Sequence, residues 1–224
     1  MQGYYEKKLS AERLKKCYDI APPKVRQYFA SELSYVLRKI DPGEKVLDLG
    51  CGFGRILRDL AKKAGIVIGI DNSHASLILA QETIEGLSNC FLIETDAIQL
   101  SLIINTFDVV ICIQNGISAF HVDQKELIME SIRVTKPGGT VLFSSYSDKF
   151  WDHRLEWFQR QADAGLLGEI DYEKTRDGLI VCKDGFKATT VRPSQFLALT
   201  ADFDVEIKIV EVDKSSIFCE LTPY

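Results

Sequence analysis

Three glycines and one carboxylate stand close together in KVLDLGCGFGRIL, residues 45–57: Asp48, Gly50, Gly52 and Gly54. Glycines at alternate positions let a main chain turn through conformations closed to other residues and approach a ligand with no Cβ in between. A carboxylate just before such a turn offers acceptor oxygens to whatever donors that ligand carries. A loop that cradles phosphates needs Lys and then Ser or Thr after its last glycine; Arg55-Ile56 stands there, which excludes that chemistry. A nicotinamide or flavin turn wants GxGxxG. Its third glycine would fall at Arg55, whose side chain would crowd the close helix–strand contact of a dinucleotide fold.

More residues able to do chemistry stand at the ends of apolar runs. VIGID ends in Asp71, followed by Asn72; FLIETD ends in Asp96, followed by Ala97; FDVVICI runs into Gln114, Asn115 and Gly116, with Ser118 and His121 just beyond. Asp71 and Asp96 have plain alternatives as helix caps and turn formers. His121, a group of near-neutral pKa, can orient or deprotonate a substrate, or simply cap the helix that begins beside Asp123. His74 lies beside Asp71, where it can pack against a flat ring, and His153 reads as a surface residue. The six cysteines are scattered, with no CxxC and no neighbouring His, so neither a metal nor a disulfide framework is expected. Cys112, inside an apolar run, reads as core.

The elements that must position these residues follow from periodicity. Residues 25–40 place Val25, Tyr28, Phe29, Leu33, Val36, Leu37 and Ile40 at helical spacing, after Pro22-Pro23 and before Asp41-Pro42-Gly43. A short polar helix over 9–18 precedes it, so residues 1–40 form a helical lead-in or lid. Short apolar strands at 46–50, 67–71, 91–96, 107–113 and 140–146 then alternate with helices at 53–64, 73–85 and 123–134. That alternation predicts a mostly parallel sheet covered on both faces. After Tyr146 the pattern changes to an aromatic-rich helix carrying Phe150, Trp151, Trp157 and Phe158, then antiparallel strands around Asp177-Gly178 and Asp184-Gly185. A helix from Pro193 and the alternating runs DVEIKIVEV and SIFCELTPY close the chain. The fold class is α/β: a Rossmann-like, seven-stranded, mostly parallel sheet with an antiparallel C-terminal hairpin. The whole chain, 1–224, reads as one domain, with 149–192 an inserted substrate cap or dimer contact.

DLGCGFG resembles the first motif of the class I S-adenosylmethionine-dependent methyltransferases, acid-x-Gly-x-Gly-x-Gly. Further positions match in order: Asp71 the acid that takes both ribose hydroxyls, Asp96-Ala97 the adenine-contacting pair, FDVVICIQNG the fourth strand with its first acid as Asp108, and KPGG, residues 136–139, the turn before the fifth strand. The resemblance covers about residues 40–148 and 193–224. It implies an enzyme that moves a methyl group by direct in-line transfer. It also implies that S-adenosylmethionine, leaving as S-adenosylhomocysteine, is held by Asp48, Gly50, Cys51, Gly52, Gly54, Asp71, Asn72, Asp96, Ala97 and Gln114. No [N/D/S]PP[Y/F/W] follows the fourth strand, Cys112 lacks the setting of a cysteine nucleophile, and no carboxylates gather for Mg²⁺. NGISAFH, residues 115–121, loosely resembles the matching stretch of small-molecule N-methyltransferases, which makes a small acceptor, an amine among the candidates, the leading expectation. His121, Asn115 and Tyr146 are the candidate catalytic residues, with Tyr4, Tyr5 and Tyr18 helping to close an apolar pocket.

Composition sets the limits. A net charge of −5 over 224 residues disfavours broad nucleic-acid binding, and DNA is not expected as a partner. Residues 1–45 do carry ten Lys or Arg against six Asp or Glu. An RNA methyltransferase acting on tRNA or rRNA through that face is therefore the second reading, and a non-catalytic S-adenosylmethionine-binding regulator the third. The polar N-terminus lacks a signal-type apolar core and no run is long enough to span a bilayer, so a cytoplasmic protein, monomer or homodimer, with no membrane partner is expected.

Overall fold

Val46, Leu47 and Leu49 of the first strand, β1 (Lys45–Leu49), divide between two apolar clusters, Val46 in one and Leu47 and Leu49 in the other. A strand buried on both sides in this way belongs inside a parallel sheet. The computed structural model, which describes Leu9 and residues 11–224, places it there. β1 lies between β2 (Ile66–Asp71) and β4 (Phe107–Cys112), with β3 (Cys90–Glu94) outside β2 and β5 (Thr135–Tyr146) beyond β4, all parallel. β9 (Ser216–Pro223) pairs antiparallel with β5, and β8 (Val205–Val212) pairs antiparallel with β9. The order β3-β2-β1-β4-β5-β9-β8 is the expected seven-stranded sheet, in which β9 alone runs against its neighbours. Order reverses between β1 and β4, and the ends of those two strands open the crevice where ligands of such sheets bind.

Helices α2 (Pro23–Leu37), α3 (Leu57–Lys63) and α4 (His74–Thr83) cover one face through Val36, Leu57, Leu60 and Leu77. Helices α5 (Gly116–Ala119), α6 (Gln124–Val134) and α8 (Pro193–Thr200) cover the other through Ile117, Leu127, Ile128 and Phe196. Local chemistry fixes their starts. Pro23 opens α2, where a missing N–H costs nothing. Ser73 caps α4, and Asp123, rather than His121, caps α6 by accepting from the N–H groups of Lys125 and Glu126. The helix expected from residue 53 begins only at Leu57, because the glycine turn runs on through Gly54. KPGG is also not a turn ahead of β5. That strand already pairs at Thr135 with Phe107, then kinks at Gly138 (φ 76°) before resuming at Thr140 opposite Val109.

A third apolar cluster lies apart from the sheet. Helix α1 (Ala11–Asp19) and α2 share it with the insertion: Cys17, Tyr28 and Phe29 pack with Phe150, Trp157 and Phe158. The insertion holds helix α7 (Trp151–Asp163) and the short antiparallel pair β6 (Ile180–Val181) and β7 (Lys187–Ala188), which turns at Asp184-Gly185 as expected. Trp157 Nε1 donates to the Cys17 carbonyl (2.8 Å), and Arg13 donates to the carbonyls of Gly165 and Leu166 (2.8 and 2.9 Å). These bonds bind α1 to α7 as one roof. Among the described residues no helix is long and apolar enough to cross a membrane.

Gly54 has φ 80°, and a Cβ there would lie 3.2 Å from the Cα of Ala80 in α4. Gly54→Ala is therefore expected to lower the unfolding free energy by about 1–2 kcal/mol or more, the cost of a left-handed conformation for a residue with a Cβ. Urea denaturation checks this, and an unchanged midpoint would show that the turn relaxes freely.

Candidate functional site

The glycine turn after β1 is pinned to the tip of β2. The Cys51 N–H donates to the Ile70 carbonyl (2.8 Å) and the Gly52 N–H to Asp71 Oδ2 (2.9 Å), while Asp71 Oδ1 accepts from the Ser73 N–H (2.8 Å). Each carboxylate oxygen has a second lone pair, so Asp71 keeps two acceptor positions for a ligand. Burial raises its pKa and the backbone donors oppose that rise. Gly50 and Gly52, both at positive φ, present bare backbone beside it.

These groups form part of the wall of one cavity of about 190 Å³. A single water needs only about 10–15 Å³ of such space, so this is room for an organic molecule. The strand ends supply Gly50, Gly52, Asp71, Asn72, Asp96, Ala97 and Gln114, and β5 and the loop after α5 add Tyr146 and His121. The roof supplies Tyr18, Trp157, Phe158 and Gln161. Nine of the thirteen candidates named from the sequence line this one space. Partial burial holds the His121 imidazole below its ordinary value, which leaves it neutral at pH 7. Asp96 Oδ1 accepts from the Ile98 N–H (3.1 Å), which fixes its carboxylate at the rim.

Four expected site residues do not reach the wall. Asn115 is the clearest correction: its Nδ2 donates to the Thr189 carbonyl (2.9 Å) and its Oδ1 accepts from Ser145 Oγ (2.8 Å). Both polar atoms fasten the returning insertion to β5, and the buried side chain does not line the cavity. Cys51 is buried where Gly69 leaves room for its sulfur, and burial drives its thiol far up. Gly54 serves packing against α4. Asp48 shares the Val46 face of β1, under α2 and α3, and is 3% exposed. Burial pushes its carboxyl up to about 7, Arg55 pulling it down and Asp71 pushing it further up. The turn that Asp48 and Cys51 support is what the cavity sees.

The remaining candidates sort simply. His74 is exposed, its Nδ1 2.7 Å from Glu94 Oε2, and His153 lies against the Phe150 ring off the cavity. Ser118 is buried away from the wall. Asp108 braces the far end of the sheet, accepting from the Lys45 N–H and from Lys136. Tyr4 and Tyr5 lie outside the described residues. Sequence reading missed Phe120, whose ring occupies the space left by the absent Cβ of Gly50. It also missed Glu32, fully buried in α2, which accepts from the N–H and Nε2 of Gln114. The signal for Glu32 was present: it is an acid four residues after Tyr28 and four before Val36, within the apolar stripe of its helix. Arg55 was noted only as a disqualifying residue. Its guanidinium stacks 5.1 Å from the Tyr18 ring and 5.2 Å from the Phe29 ring, beneath the roof.

Known proteins resemble this chain in sequence and in fold. A family model described as a methyltransferase domain matches residues 46–139. The ubiquinone biosynthesis O-methyltransferase of Pseudomonas putida is 30% identical over 171 residues, covering 74% of this chain and 66% of its own. That of Pseudomonas fluorescens is 36% identical over 106 residues, covering 46% and 44%. The chain therefore spans less than two thirds of either relative. Among solved structures, a DhpI–SAM–HEP complex superposes with a TM-score of 0.65 at 20% identity, covering 98% of this chain and 94% of that one, a likeness of fold.

Asp48 binds its proton more tightly in the folded protein than its ordinary value of 3.8 allows. The protein is therefore favoured while Asp48 is protonated, and loses that contribution as pH rises from the unfolded value through about 7. Against Asp48→Asn, which is indifferent to pH, the wild type is expected to lose roughly 2–3 kcal/mol of relative stability between pH 5 and pH 8. Urea titrations of both proteins measure this. A gap independent of pH would mean that Asp48 is solvated or paired after all.

Proposed function

We infer that the chain belongs to the class I S-adenosylmethionine-dependent methyltransferases and that it moves a methyl group from S-adenosylmethionine to a small, largely apolar acceptor held under α1 and α7. The observation that carries this reading is the continuity of one cavity, from the glycine turn and Asp71 to the aromatic roof. The residues fit the cofactor. The backbone of Gly52 suits the methionine portion, the remaining acceptor capacity of Asp71 suits a ribose hydroxyl, and Asp96 and Ala97 stand at the next strand tip for adenine. When bound, S-adenosylmethionine supplies a methyl group already activated on a sulfonium.

The work left to the protein is placement and exclusion of water. Tyr18, Trp157 and Phe158 give the acceptor a wall of rings, and neutral His121 is a base able to take a proton from a hydroxyl or an ammonium. Tyr146 adds a phenol to the same wall. The Pseudomonas relatives are O-methyltransferases by name, so a phenolic hydroxyl is the first acceptor to try and an amine the second. Residues 11–37 and 149–192 act together as the substrate cap. The RNA reading loses support because several N-terminal cations are engaged by partners within the chain. Arg13 holds the end of α7, Arg26 donates to the carbonyls of Ala21 and Asp19 (2.9 and 3.0 Å), and Lys39 pairs with Glu220 (2.8 Å).

Calorimetric titration with S-adenosylhomocysteine tests the cofactor half. Asp71→Ala removes charged hydrogen bonds worth roughly 1.5–3 kcal/mol, so affinity is expected to fall about ten- to a hundredfold. A panel of phenols, hydroquinones and primary amines, incubated with S-adenosylmethionine and read by product mass, tests the other half. Absence of binding sinks the assignment. Binding with no transfer to any class leaves a regulatory cofactor-binding protein.

A further inference from the structure

Glu32 is a carboxyl beside the cavity for which the reading above supplies no task. It is fully buried in α2, and its Oε2 accepts two donors from one residue, the backbone N–H of Gln114 (3.3 Å) and Gln114 Nε2. Gln114 follows β4, holds a left-handed φ of 57° and lines the cavity. Its amide cannot be turned over, because an oxygen facing the carboxylate would set acceptor against acceptor. The amide oxygen, Oε1, is therefore the polar atom Gln114 has left for a ligand. It is buried and has no hydrogen-bond partner in the protein.

Three more atoms around the same carboxyl share that condition: Glu32 Oε1, Tyr28 Oη and Ser144 Oγ. Tyr28 and Ser144 stand beside Glu32 and favour its charged form against the burial that disfavours it, so these three groups lie within reach of one another. Buried polar atoms are ordinarily satisfied. Gln114 Oε1 is the one of the four that belongs to a residue lining the cavity, and it marks a place completed by a ligand or its water. Gln114 Oε1 is an acceptor only, so what completes it must donate. A hydroxyl or an ammonium can do so; a thioether or an aprotic carbonyl cannot.

We propose that Glu32 is a positioning residue for the methyl-transfer site: it locks Gln114 so that Gln114 Oε1 receives an O–H or N–H donor of the methyl acceptor. This rests on the function proposed above and narrows it to acceptors that carry such a donor at or beside the methylated atom. The amino group of the cofactor is the other donor within the same chemistry, and the experiment separates the two.

Four variants carry the test: Glu32→Leu, Glu32→Gln, Gln114→Met and the double Glu32→Leu/Gln114→Met. Glu32→Leu is expected to lower kcat/KM for the phenol or amine found to be methylated by about ten- to a hundredfold, the loss of one well-placed hydrogen bond to a polar ligand group. Glu32→Gln, whose amide oxygen can still hold both Gln114 donors, is expected to rescue most of it. The double variant should be no worse than Gln114→Met alone, since both act on one bond. Affinity for S-adenosylhomocysteine should stay within about threefold throughout, and a tenfold loss in Gln114→Met would hand the donor to the cofactor and overturn the assignment. Additive losses, or a Glu32→Gln as impaired as Glu32→Leu, would overturn it as well. The lock is also readable without any acceptor. In protein labelled with ¹⁵N-glutamine, the Gln114 side-chain amide protons should exchange slowly in the wild type and quickly in Glu32→Leu; fast exchange in the wild type sinks the proposal. Wild-type protein that binds S-adenosylhomocysteine but methylates nothing defeats the function proposed above, while the exchange and affinity measurements still judge Glu32.

Discussion

The hydrogen bond from the Gly52 N–H to Asp71 ties together the two strand ends on which everything else in the site depends. β1 and β2 run parallel, so their carboxyl ends emerge side by side, but the turn after β1 is built from glycines that have many other conformations open to them. One carboxylate removes that freedom. It holds Gly52 with one oxygen and the start of α4 with the other, and still keeps a lone pair on each for a ligand. A residue that only bound a cofactor would have left the turn loose, and one that only braced the turn would have left nothing to bind. Asp71 can do both because a carboxylate accepts more hydrogen bonds than the backbone asks of it.

The sheet and its roof obey different rules. Strands β1, β2 and β4 are buried on both faces and are therefore plain apolar runs, which is why the architecture was legible from VLDLG, VIGID and FDVVICI alone. The roof is built from two stretches far apart in sequence, α1 with α2 and the insertion with α7. The Trp157–Cys17 and Arg13–Gly165 bonds that join them join partners no local pattern connects. Sequence showed an aromatic stripe over Phe150, Trp151, Trp157 and Phe158, but not that Trp157 and Phe158 would wall the cavity while Phe150 packs with Tyr28.

The same division explains which candidates failed. Gly50, Asp71 and Asp96 were legible because their place at strand ends fixes them at the crevice whatever the side chains around them do. Asn115 has an equally suggestive place after β4, yet Ser145 and the Thr189 carbonyl claim it, and both belong to segments that meet only in the folded chain. Asp48 failed in a subtler way. Alternation along β1 puts it on the face opposite Leu47 and Leu49, so it supports the turn from beneath instead of facing the cavity. Glu32 was hidden by the very pattern that identified its helix, because a stripe read for apolar residues passes over the acid inside it.

Glu32 and Asp48 together define what the site costs the fold. Both carboxyls are buried, both have their pKa raised by that burial, and Arg55, set against the rings of Tyr18 and Phe29, is the cation that opposes the rise at both. Replacing such buried charges with apolar residues often stabilises a protein, so their presence is poor evidence of a structural need. They cluster just behind the cavity, not through the sheet: across the crevice face, Val36, Leu60 and Val67 fill the same layer with hydrocarbon. Beside the cavity two costly carboxyls stand against one arginine, an electrostatic arrangement suited to a polar guest, and the apolar clusters of the sheet supply the stability that makes this tolerable.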